Sequence, residues 1–121
     1  MRIMIFDDEA DVLQLYSIIL RKKGHEVFTE QSCVNVLDKV TDVHPDLIIM
    51  DNEMPVLTGL AATRKLKAEK EFEHIPVISI SANAEGKKLA EDAHADLFLP
   101  KPIHIYDLEK AISRVTSGKA A

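Results

Sequence analysis

The chain has 121 residues, enough for one domain around one core, with the 46% hydrophobic and 29% charged content of an ordinary globular protein. A net charge of −5, scattered lysines and arginines and no tryptophan argue against direct nucleic-acid binding. No apolar run approaches the roughly 18 residues of a membrane span, residues 1–6 are no signal peptide, and the single Cys33 cannot form an internal disulfide. Together these predict a cytoplasmic protein without a membrane partner.

Five short apolar runs alternate with longer amphipathic stretches. The first run, 3–6, leads into a helical stretch over 10–23 whose apolar stripe is Val12, Leu15, Tyr16, Ile19 and Leu20, with Gly24 as its C-terminal stop. Arg21-Lys22-Lys23 then falls where a helix end favours cations. A second strand over 27–29 precedes a helix over 34–43, for which Ser32 is the expected N-cap. Pro45 introduces a strand over 47–50, and Thr58 is placed to cap the helix over 59–69. Pro76 opens the strand over 77–80, followed by a helix over 84–93, a strand over 97–99 and a final helix over 105–115.

Runs this short and this apolar suit strands covered on both faces. Each parallel crossover needs a helix, so five β–α repeats predict an α/β, flavodoxin-like, doubly wound fold with a five-stranded parallel sheet in the order 2-1-3-4-5. One domain over 1–117 with a short tail over 118–121 is expected.

Ligands of such folds bind at the carboxyl ends of the strands. Those ends carry Asp7-Asp8-Glu9, then Asp51-Asn52-Glu53, then Ser81-Ala82, then Lys101-Pro102, while the outer second strand ends at Glu30-Gln31 and offers nothing evident. Helix starts attract acidic residues, which is account enough for Asp8 or Glu9 singly. Asp51 is different, because it directly follows the apolar run Leu47-Ile48-Ile49-Met50. Carboxylates held about 4–6 Å apart repel by a few kcal/mol per pair at an effective dielectric near 20, so the cluster calls for a cation. Hard oxygen ligands are those Mg²⁺ prefers. The strand over 97–99 delivers Lys101 to the same edge, and an ammonium with a divalent cation around one carboxylate meets the electrostatic demand of phosphoryl transfer. Ser81 adds a hydroxyl donor. The five histidines have no metal-ligand spacing, and Met54 reads as loop packing.

Phe6-Asp7-Asp8-Glu9, Ile48 through Pro55, Gly59, Ile80-Ser81-Ala82 and Leu99-Pro100-Lys101-Pro102, in this order and spacing, resemble the response-regulator receiver domain over residues 2–116. The resemblance implies that Asp51 takes a phosphoryl group from a sensor histidine kinase or phosphotransfer protein, and that Asp7 or Asp8, with Asp51, binds Mg²⁺. Glu53 would offer the metal its backbone carbonyl. Lys101 would match the family's lysine, Ser81 its switch hydroxyl and Phe98 its switch aromatic. Asn52, Pro55 and Gly59 would form the loop beside the acceptor, and Lys101–Pro102 would be cis. The implied output is an altered surface of the fourth and fifth helices and the strand between them, read by a downstream protein. On this reading the chain is no turnover enzyme: it undergoes only Mg²⁺-dependent self-phosphorylation and autodephosphorylation.

Two departures fall near the fourth helix. The stretch from Ser81 to Lys101 is about two residues shorter than the family pattern and holds Gly86, and His94 stands where the family usually has glycine. A short or frayed helix is expected, with His94 in a left-handed conformation. A phosphatase of the haloacid-dehalogenase type would need Asp-x-Asp after the first strand, where this chain has Asp7-Asp8-Glu9. A flavin-binding module would need a phosphate loop in that place. A degenerate receiver would lack one of the site residues, all of which are filled.

Overall fold

The computed structural model describes residues 1–117, so the expected tail lies outside the described residues. Ten elements alternate in chain order: β1 (Arg2–Phe6), α1 (Ala10–Lys22), β2 (Glu26–Glu30), α2 (Val36–Val43), β3 (Leu47–Asp51), α3 (Gly59–Lys67), β4 (Val77–Ser81), α4 (Gly86–Asp92), β5 (Leu97–Pro100) and α5 (Ile105–Ser117). The five strands pair in parallel in the order β2-β1-β3-β4-β5, the doubly wound flavodoxin-like topology.

The two-residue period of the strands divides the core into two layers. Ile3, Ile5, Leu47, Ile49, Ile78 and Ile80 pack with Leu13 and Leu20 of α1 and Leu108 and Ile112 of α5. Met4, Phe6, Ile48, Met50 and Val77 face the other way, against Val36 and Val40 of α2 and Ala62 and Leu66 of α3. The central strands β3 and β4 are buried along their whole length, which is why β3 is apolar without alternation from Leu47 to Met50 and why the hydroxyl of Ser79 within β4 is paired, with Asn52 Oδ1. Asp7 and Asp51 continue the parity of Ile3-Ile5 and Leu47-Ile49, and the register pairs Phe6 with Met50. The pleat therefore turns both carboxylates to the α1/α5 side at one end of the sheet.

Several local expectations need correction. The buried residues of α1 are Leu13, Ser17 and Leu20, while Leu15 and Ile18 are exposed. Of the expected stripe, Leu20 is buried and Val12, Tyr16 and Ile19 are half-buried, so only Leu15 falls off the inner face, which Leu13 and Ser17 complete. Ser32 does not cap α2. Its Oγ accepts from the Val34 backbone N–H in a tight turn, and the helix starts two residues later, after Asn35 in a left-handed conformation. Thr58 does cap α3, accepting from the Ala61 N–H, and Gly24 follows α1 with φ of 92°. The fourth helix is short, seven residues, with His94 left-handed at φ 67° just beyond it. No helix among the described residues is long and apolar enough to cross a membrane.

Candidate functional site

The C-terminal ends of β1, β3, β4 and β5 bring Asp7, Asp51, Ser81 and Lys101 to one rim of the sheet. Asp51, the last residue of β3, is 2% exposed. Each of its carboxylate oxygens has a donor: Oδ1 accepts from the Glu53 N–H at 3.1 Å, and Oδ2 from Lys101 Nζ at 3.2 Å. Lys101 also lies 3.9 Å from Asp7 Oδ2. Asp7 is buried too, with Oδ1 accepting from the Glu9 N–H at 2.9 Å. The β4–β5 pairing continues past Pro100 as Lys101 N–H donates to Ser81 O, which fixes where the lysine leaves the sheet. The Lys101–Pro102 bond is cis.

Oxygens of Asp7, Asp8 and Asp51 all lie within 4.8 Å of one another, with Asp8 the exposed member. Lys101 is paired with the two buried carboxylates, Asp7 and Asp51, and burial dominates the acidity of both. Burial pushes the Asp51 carboxyl up from 3.8 to about 6, against the lowering effects of the Glu53 N–H and of Lys101, with Asp7 adding to the rise. Asp7 is raised likewise by burial, against the Glu9 N–H and Lys101 and with the help of Asp8 and Glu9. Burial alone would lower Lys101, but Asp51, its hydrogen bond and Asp7 outweigh it and hold the ammonium above its usual range. Buried carboxylates that resist ionising gain most from a divalent cation placed among them. An all-oxygen donor set with one side open to solvent fits Mg²⁺, which keeps several waters.

The loop after β3 bends tightly over Asp51. Gly59 N–H donates to Asn52 O, and a Cβ on Gly59 would come within 1.8 Å of the Asp51 carbonyl oxygen, so only glycine fits there. Asn52 is buried and accepts a hydrogen bond from Ser79 Oγ, while its Nδ2 has no partner among the described residues. Pro55 is exposed, and Met54 is buried against Cys33, as loop packing requires. Val56 is 93% exposed with φ of 70°, a conformation rarely adopted by a β-branched residue and one that no local pattern signals.

Ser81 and Phe98, the expected switch pair, meet at the first residue of α4. A Cβ on Gly86 would lie 2.8 Å from Ser81 Cβ and 3.0 Å from Phe98 Cε1. Gly86 is thus a close-packing position between both side chains, which its expected role as a weak point in the helix did not foresee. Sequence reasoning also assigned Glu53 a backbone carbonyl but no side-chain partner. Its side chain reaches across to β4, where both carboxylate oxygens accept from Ser81 Oγ at 2.8 Å and Oε1 accepts from the Ala82 N–H at 3.2 Å. Nothing in residue type or spacing announces that contact, because it depends on the rotamer of an exposed side chain.

Comparison with known proteins agrees with this geometry. A family model described as the response regulator receiver domain matches residues 3–113. The polar-differentiation response regulator DivK of Brucella ovis is 31% identical over 105 residues, covering 85% of each chain. A response regulator receiver domain protein from Clostridium thermocellum superposes with a TM-score of 0.88 at 31% identity, over 98% of this chain and 96% of that one. The chemotaxis protein CheY4 of Vibrio cholerae gives 0.85 at 27% identity, over 94% and 97%.

Proposed function

This chain belongs to the response regulator receiver domain family of two-component signalling, and from that membership we propose that Asp51 is its phosphoacceptor, served by a sensor histidine kinase or phosphotransfer protein. The observation that carries the assignment is the Asp51 carboxylate held at a sheet edge between the Lys101 ammonium and the carboxylates of Asp7 and Asp8. An Asp51 oxygen attacks the phosphorus of a phosphohistidine in line. The P–N bond breaks, its electron pair returns to the imidazole nitrogen, and an acyl phosphate remains on Asp51. Lys101 sits 3.2 Å from the attacking carboxylate and balances charge gathering on the phosphoryl oxygens. The Glu53 N–H steadies Oδ1, so the carboxylate does not rotate during attack.

Asp7, Asp8, Asp51 and the Glu53 backbone carbonyl are the residues that would hold Mg²⁺. When bound, the ion supplies the positive charge that lets a phosphoryl group approach three carboxylates. Water later cleaves the acyl phosphate and returns the carboxylate, so the chain modifies and restores itself without turning over an external substrate.

Phosphorylation adds acceptor oxygens and takes the local charge to roughly −2. Ser81 then turns toward the phosphoryl group and Phe98 moves inward, shifting a two-state equilibrium read by a protein partner at α4, β5 and α5. The contact of both side chains with Gly86 at the start of α4 supports that route. With its scattered basic residues the chain has no direct nucleic-acid role, and a cytoplasmic setting suits a partner of histidine kinases. The test is incubation with acetyl phosphate and Mg²⁺ followed by intact mass. Gain of one phosphoryl group by the wild type and none by Asp51→Asn is the expected result; an equal gain by the variant overturns the assignment.

A further inference from the structure

Glu53 makes the least expected contact of the site. Ser81 has one hydroxyl proton and Ala82 one amide proton, and the Glu53 carboxylate accepts both. The Ser81 oxygen in turn accepts from the Asn83 N–H at 2.9 Å, which fixes the hydroxyl's position while its proton points to Glu53. In this arrangement neither proton is free for an oxygen of a group attached to Asp51.

We propose that Glu53 is a displaceable latch, its carboxylate standing in for phosphoryl oxygens at the Ser81 hydroxyl and the Ala82 N–H until Asp51 is modified. The proposal rests on Asp51 being the phosphoacceptor and deepens that reading by naming a residue that opposes it. The chemistry of the mimic is direct: a carboxylate and a phosphoryl group are both oxygen anions that accept from the same two donors. Glu53 is exposed, so water can take over its hydrogen bonds when it leaves. A phosphoryl dianion on Asp51, two residues away, repels the carboxylate and claims its donors together.

The latch also reaches the switch. Held by Glu53, Ser81 keeps its side chain against Gly86, which in turn packs on Phe98. Release of Ser81 from Glu53 is then the event that loosens the start of α4. Glu53 acts here as a positioning residue, since it sets where the Ser81 proton points and makes no bond to phosphorus.

A double-mutant cycle on the full chain tests the latch, using beryllofluoride with Mg²⁺ as the phosphoryl mimic and fluorine NMR for the affinity. Glu53→Ala should bind the mimic about tenfold more tightly than wild type, the size expected for freeing donors from a charged acceptor. In a Ser81→Ala background, where the latch has lost its main donor, the same change should gain about twofold or less. Glu53→Gln keeps one acceptor oxygen and should gain less than Glu53→Ala. An unchanged or weakened affinity in Glu53→Ala overturns the latch. So does a full gain that persists with Ser81→Ala, because that is a bare charge effect. Failure of the wild type itself to bind the mimic or to take a phosphoryl group from acetyl phosphate instead overturns the Asp51 assignment, and the latch with it.

Discussion

Replacing Asp51 with asparagine should stabilise the metal-free protein at neutral pH and do so less and less as the pH falls. In the fold the Asp51 carboxyl is raised from 3.8 to about 6, chiefly by burial, so its ionised form is held at a cost. Below about pH 4 the group is protonated in both folded and unfolded chains and the cost vanishes. As the pH rises through about 6 the unfolded chain has already released its proton, the folded chain must follow, and stability falls. The rise in pKa corresponds to at most about 3 kcal/mol. Asparagine removes that cost, in which the attraction to Lys101 is already counted, but its single amide oxygen cannot serve both the Glu53 N–H and the Lys101 ammonium that the two carboxylate oxygens accept from, so only part of the gain is kept. A net gain of about 1–2 kcal/mol at about pH 7.5 is therefore expected. Urea unfolding followed by circular dichroism, with a chelator present, measures it at about pH 7.5 and again at about pH 5. Adding millimolar Mg²⁺ should narrow the gap, because the ion stabilises the form with three carboxylates. An Asp51→Asn variant no more stable than wild type at about pH 7.5, or a gain that does not shrink on acidification, would refute the reasoning.

Three further outcomes follow from named contacts. Gly59→Ala places a Cβ 1.8 Å from the Asp51 carbonyl oxygen and should cost about 2 kcal/mol or more in urea unfolding, while leaving any folded fraction with a displaced Asp51. Thr58→Ala removes the cap on the Ala61 N–H and should cost about 1 kcal/mol by the same measurement, with little effect on phosphorylation. Lys101→Met should slow phosphoryl uptake from acetyl phosphate by about a hundredfold, followed by intact mass, since it deletes a donor to the reacting group.

The architecture was readable because β3 and β4, buried on both faces, had to be short and mostly apolar, and because each ended in a residue of a different chemical kind. Asp51 stood out by following such a run directly, and the parity shared by Ile3, Ile5 and Asp7 with Leu47, Ile49 and Asp51 carries both carboxylates to one side. Helix faces were harder. In α1, Val12, Leu13, Leu15, Ile18 and Ile19 cover too many directions for a period to choose among them, and the buried face takes in Ser17, whose hydroxyl is satisfied by Leu13 O. Ser32 had the right chemistry for a cap and the chain used it one turn early, since Asn35 breaks the backbone before α2 can start. The shortness of α4 followed from the shortened stretch between Ser81 and Lys101, but the place of Gly86 between Ser81 and Phe98 is a packing fact that no local pattern encodes. Glu53 was unreadable for a related reason: its partners lie 28 and 29 residues away, at the end of another strand.

The most direct measurement is to locate the modified residue chemically. After incubation with acetyl phosphate and Mg²⁺, borohydride reduces an aspartyl phosphate to homoserine, and peptide mass spectrometry reports where that residue appears. Homoserine at position 51 and nowhere else is the expected result. A phosphorylated chain that yields homoserine at another aspartate, or none at all, would contradict the account.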